Sequence, residues 1–159
     1  MFRISALVIT TALCASAVLA QDKVADLRAR LTREPNPVNK AKLMPQLGDA
    51  EFAEIDAHVT QGKVPEALEV LQHYRDEVNL CDKGLSAMGV DAEKHPSGFK
   101  QLQFSLRDSL RRLDAVIVSM TSDEQAPFLA IRADLGEVNL RLIQSLFPHE
   151  TPSTPAISK

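Results

Sequence analysis

The chain has 159 residues and carries 18 Lys and Arg against 21 Asp and Glu, a net charge of −3. A mildly acidic chain with no basic block lacks the electrostatic footprint of a nucleic-acid binder, so nucleic acid is excluded as a partner. Two cysteines, at 14 and 81, give no disulfide framework, so stability must come from a packed core, for which this length suffices.

Met1 to Ala20 reads as a secretory signal. Arg3 supplies the positive start, Ile4 to Leu19 carries no charge, and Val18-Leu19-Ala20 precedes the polar Gln21-Asp22-Lys23. The apolar run of about 16 residues falls short of the ~20 that span a bilayer. Cleavage is expected after Ala20, with Ala17 as the other position, leaving no stable membrane anchor. A lipid-modified Cys14 would want a small residue before it, and that residue is Leu13. Removing the leader takes away Arg3 and leaves Cys81 as the one cysteine of an exported, periplasmic or extracellular chain. The expected organisation is a signal peptide at 1–20, a helical domain at 21–148 and a disordered Ser/Thr/Pro tail at 149–159.

Six glycines, 4% aromatic residues and no Trp suit helices better than strands, and no long alternation of period two occurs. Val24, Leu27 and Leu31 mark a short amphipathic helix from about Asp22 to Arg33, stopped at Glu34-Pro35-Asn36-Pro37. A second helix starts at Pro37 with Asn36 as its cap and runs to about Gln61 on Ala41, Met44, Leu47, Phe52, Ile55 and Val59. Pro45 predicts a kink or a break in it, and Gly62 a left-handed end. The third helix starts at Pro65 and follows Val64, Ala67, Leu71, Tyr74, Val78, Cys81, Leu85 and Met88 to Gly89.

After a polar connection, Ser97 is the expected cap of the longest uninterrupted amphipathic stretch. There Phe99, Leu102, Leu106, Ser109, Leu113, Val116 and Met120 recur at intervals of three and four. Leu110 and Ile117 widen that stripe. Ser122 with Gln125 has the capping-box pattern and opens a last helix on Phe128, Ile131, Leu135, Val138, Leu142 and Leu146, ended by Phe147-Pro148. The pattern predicts an all-α fold: an up-down four-helix bundle with coiled-coil-like packing, preceded by a short N-terminal helix. The rival arrangement is an open stack of helical hairpins.

The stretch from Leu47-Gly48 through Gln61-Gly62-Lys63-Val64-Pro65-Glu66-Ala67-Leu68 resembles a tetratricopeptide-repeat hairpin, within residues 47–82. Gly62 and Ala67-Leu68 match that pattern. The first helix is about two turns longer than the family's, and no second copy follows 34 residues on. The resemblance implies hairpin packing and protein binding. Glu93-Lys94-His95-Pro96-Ser97-Gly98-Phe99-Lys100 and Ser109-Leu110-Arg111-Arg112-Leu113-Asp114 resemble uncharacterised exported helical proteins of bacteria, which implies export and helical fold and no activity.

No Glu-x-x-His, Cys-x-x-Cys-His, Gly-x-Ser-x-Gly or His-Glu-x-x-His occurs. Glu69 and His73, four apart on one helix face, could meet Glu51 or Glu54 across the hairpin. His58 and His73 are offset by about 9 Å along the hairpin axis, too far to share one ion. Met44, Met88 and Met120 with a histidine offer haem ligands, but their helical spacing already places them in the core. Cys81 falls on the apolar register and is expected buried and free, with an intermolecular disulfide as the other outcome. Lys100, Arg107, Arg111 and Arg112 form a basic face beside Asp108 and Asp114. Arg107, Arg111 and Arg112 are the candidate partner-binding residues. The expectation is thus a non-catalytic helical binding or scaffold protein with a protein partner, no metal and no cofactor. A small metal- or haem-binding bundle is the alternative.

Overall fold

The computed structural model describes residues 12–148, with side chains from 22 to 148. Five helices account for nearly all of them: α1 (Ala12–Arg33), α2 (Pro37–Thr60), α3 (Val64–Ala87), α4 (Phe99–Ser119) and α5 (Ser122–Leu146). No strand occurs among the described residues, and the packing is that of a helical bundle. The first eleven residues of the expected leader and the whole of the 149–159 tail lie outside the described residues.

The core follows the three-four pattern. All seven stripe positions of α4, from Phe99 to Met120, are buried, and so are the six of α5 from Phe128 to Leu146. Val24, Leu27 and Leu31 bury one face of α1 against α2. The last members of two stripes depart from expectation. Val59 is only partly buried, and Met88, one residue past α3, is 41% exposed. Each lies at a helix end and borders an open groove, Val59 beside Val116 and Ser119 of α4 and Met88 beside Val38 and Phe99.

Four local expectations are corrected. The N-terminal helix is not short: α1 begins at Ala12 and runs through Ala20 and Gln21, because the Ala-rich sequence around the expected cleavage point favours helix. Pro45 does not split α2, which is one helix from Pro37 to Thr60. Met44, Leu47 and Phe52 on either side of it are fully buried, and that burial outweighs one missing backbone donor. Gly98, not Ser97, caps α4. Gly98 takes φ +88°, and the Gln101 side chain accepts its N–H at 2.7 Å. Finally, Thr121 rather than Ser122 precedes α5, with Glu124 Oε2 accepting from both its N–H and its hydroxyl. Gln125 instead donates to the carbonyls of Ile117 and Met120, satisfying the end of α4. Asn36 caps α2 as expected, accepting from the N–H groups of Val38 and Asn39.

The short links 61–63 and 120–121 join α2 to α3 and α4 to α5. Beyond these hairpin contacts, α2 packs on α4, α3 packs on α5 and, less extensively, on α4, and α1 rests on α2. Gly98 sits where three helices meet. A Cβ there would lie 2.9 Å from Leu85 Cδ2 and 3.2 Å from Val38 Cα. Gly98→Ala is expected to destabilise the protein by roughly 2–3 kcal/mol, combining left-handed strain with backbone crowding. Gly62→Ala, at φ +72° with nothing within 4 Å, is expected to cost only about 1 kcal/mol. Urea titration of the two variants reads the difference.

Candidate functional site

Two places concentrate chemistry, one inside the bundle and one on its surface. Inside, Arg28 of α1 reaches over α2 and meets two carboxyl groups. Its Nε donates to Glu51 Oε1 at 2.9 Å and lies 3.3 Å from Glu77 Oε1 on α3. Its Nη2 also donates to Glu51 Oε1. The Glu51 side chain is fully buried, and Oε2 of both glutamates is buried without a hydrogen-bond partner. One guanidinium between two buried carboxyls leaves one negative charge too many, and the pair answers by keeping a proton. Burial first, then the charge of Glu77, pushes the Glu51 carboxyl up to about 8, against the pull of Arg28. Burial raises Glu77 as well, again opposed by Arg28. The fully buried Glu51 offers no route to a substrate. What the cluster does is hold α1 onto the α2–α3 hairpin.

A second buried polar contact lies deeper. The Tyr74 hydroxyl and Ser109 Oγ are 2.7 Å apart. Burial pushes the Tyr74 phenol up to about 12, so it stays protonated. Ser109, the one polar position of the α4 stripe, is thus the polar partner of Tyr74.

The structure does not assemble the Glu51–Glu69–His73 group considered above. Glu51 points into the core, whereas Glu69 and His73 are exposed. His58 instead lies 3.7 Å from Glu54 on its own helix. No group of three His, Cys, Asp or Glu side chains is placed to hold a metal ion among the described residues. Met44 is wholly buried, Met120 is buried at the end of α4, and Met88 is exposed. Cys81 is a free, fully buried thiol that burial pushes up to about 12, which suppresses the thiolate needed for nucleophilic or disulfide chemistry.

The basic face divides. Arg112 turns toward α2, lies 3.2 Å from Asp49 and 3.8 Å from Asp56, and stacks 5.1 Å over the Phe52 ring. There it borders a groove of about 310 Å³ lined by Asp56, Val59, Thr60, Ala115, Val116 and Ser119. Arg107 and Arg111 stay outside. Arg111 pairs with Asp108 at 3.2 Å, and Arg107 lies 5.3 Å over the ring of Phe104, itself half exposed. Exposed pairs of this kind contribute little to stability.

Beside them α5 shows a feature that its core stripe does not include. Leu129, Leu140, Ile143 and Phe147 are 46%, 55%, 36% and 45% exposed. Leu129, Ile143 and Phe147 each follow a core residue and are turned about 100° from it, and Leu140, two past Val138, lies further round on the same side. Gln103 donates to Asn139, and Arg132 pairs with Asp114 across the same seam. These contacts set Phe104 level with Leu140, so the apolar side chains of α5 and the outer side of α4 form one face. The signal was present in the sequence as a second three-four series, displaced by one residue from the first.

The chain matches no family model, no curated protein and no solved structure. No helix among the described residues is long and apolar enough to cross a membrane.

The buried carboxyl pair makes stability depend on pH in an unusual direction. Glu51 binds its proton up to about pH 8 in the folded chain, against an ordinary 4.5 when unfolded. The folded state therefore holds the extra proton between those values, and the stabilisation present below about pH 4.5 is lost as pH rises through about 8. Glu51→Gln, neutral at every pH, is expected to flatten a decline on the order of 3 kcal/mol between pH 5 and 9. Urea unfolding across that range measures it.

Proposed function

We propose that this chain is an exported, non-catalytic helical binding protein that takes a protein partner on the outer face of α4 and α5. The observation that carries this reading is the exposed apolar series on α5 beside Phe104, Arg107 and Arg111. An apolar strip rimmed by guanidinium groups has the composition of a protein-binding patch, with an apolar centre and Arg at its border. Arg112 belongs to the α2–α4 seam in this reading, and Arg107 and Arg111 are the partner-facing pair. Export rests on the Met1–Ala20 leader, and a periplasmic setting follows the resemblance to exported helical proteins.

The same reading takes the long helices as an up-down-up-down set of two adjoining hairpins. Arg75 lies 3.8 Å from Asp134 and Arg141 lies 3.0 Å from Asp82, which supports α3 and α5 running in the same direction. Val38 beside Gly98 and Asp49 beside Arg112 support the same for α2 and α4. The extensive contacts of α2 with α4 and of α3 with α5, with none of α2 with α5 among the described residues, favour hairpins laid side by side over a ring in chain order.

A photo-crosslinking residue placed at Phe104, with Gln72 on α3 as control, tests the binding surface in cells producing the full chain. An adduct is expected from position 104 alone. Arg107→Glu together with Arg111→Glu is expected to reduce it at least ~10-fold, a loss of about 1.4 kcal/mol. Equal labelling at both positions, or none, overturns the binding face. Stoichiometric haem or metal in protein isolated from the exported compartment overturns the binding-module reading. A mature N-terminus other than Val18 or Gln21 overturns the leader.

A further inference from the structure

We infer that the occupant of the α5 surface is a second copy of this chain, packed antiparallel about a two-fold axis near residue 138. The inference rests on the α4–α5 binding reading and names its partner. Leu129, Ala133, Gly136, Leu140, Ile143 and Phe147 are separated by four, three, four, three and four residues. That series reads the same in both directions. An antiparallel copy therefore stays in register along the whole series and sets Leu129 opposite Phe147, Ala133 opposite Ile143, and Gly136 opposite Leu140.

Small faces large at the inner four positions of that arrangement. A Cβ added at Gly136 meets nothing within 4 Å, so the notch is open, and Leu140, 55% exposed, is the side chain that fills it. Interlocking of this kind lets two helices approach to about 8–10 Å. A parallel pairing would set Gly136 on Gly136 and Leu140 on Leu140, alternating voids with collisions.

The area agrees with a two-fold partner. Residues 129 to 147 span about 27 Å. With the adjoining side of α4 the face is about 20 Å wide, giving about 1,000 Å² over two copies, the size at which specific interfaces begin.

Sedimentation equilibrium of the mature full-length chain tests this. The wild-type chain is expected to be a dimer at tens of micromolar, on the order of affinity such an area supports. Gly136→Glu has open space in the single chain and improves helix propensity. It is expected to keep its circular dichroism and raise the dimer Kd by ~100-fold, through burial of an unpaired charge. In Leu129→Cys/Phe147→Cys, peptide mapping should find a disulfide between 129 of one copy and 147 of the other. A wild-type monomer at about 1 mM, well above the affinity of specific interfaces, overturns the inference. So does a dimer indifferent to Gly136→Glu, or linkage only between like positions. A monomeric chain whose Phe104 adduct contains a different protein removes the second copy and leaves the binding reading standing; absence of both adduct and dimer removes both.

Discussion

Tyr74 reaches from α3 to α4 because Gly48 on α2 leaves room for it. A Cβ at Gly48 would lie 3.3 Å from Ser109 Oγ and 3.4 Å from the Tyr74 ring. The phenol then meets Ser109 at 2.7 Å, and its ring stands edge-on to Phe52 with centroids 5.4 Å apart. Arg112 of α4 lies over the other aromatic of that pair. One small residue thus brings three helices to a common centre, where a buried hydroxyl is satisfied by another hydroxyl and apolar packing continues on both sides. The two hairpins are joined at that point by contacts that a purely apolar seam would not specify.

The attachment of α1 follows a different logic. Among its described side chains three apolar ones are buried, and its distinctive contact is one guanidinium set between two carboxyls that burial prevents from ionising together. Such a cluster adds less net stability than its short contacts suggest, because desolvation opposes each charge. Its value lies in register: Arg28 reaches both Glu51 and Glu77 from one position along α2. Cleavage after Ala20, as proposed, would leave Val24, Leu27, Arg28 and Leu31 in place and the clasp with them.

The two helices of the second hairpin are unequal in a way that bears on function. α4 has one buried stripe and an exterior that mixes charged side chains with the exposed Phe104 and Val118. α5 has a complete buried stripe and a second apolar series beside it that the described residues leave exposed. One apolar face is what packing in the bundle requires; two faces on one helix call for something further to cover the second. The neighbouring Arg107 and Arg111 meet Asp108 at the surface, where such pairs are weak, and so remain available to a partner. Arg112 is engaged within the bundle.

Helices and their core faces were legible without any knowledge of neighbours. The three-four spacing of Phe99 to Met120 and of Phe128 to Leu146 suffices, because helix geometry alone puts those residues on one side. Asn36-Pro37 and Gly62 likewise act locally and were readable. Packing between helices settled the rest. Glu51 looked like a boundary carboxylate suited to Glu69 and His73, and only the position of α1 over the α2–α3 hairpin turned it into a buried partner of Arg28. Arg112 looked like part of an outer basic face, and only the approach of α2 drew it inward to Asp49, Asp56 and Phe52. The exposed series on α5 was written in the sequence, but exposure is a property of what fails to pack against a helix. Periodicity fixes which side chains share a face; the arrangement of the other helices decides which faces are covered.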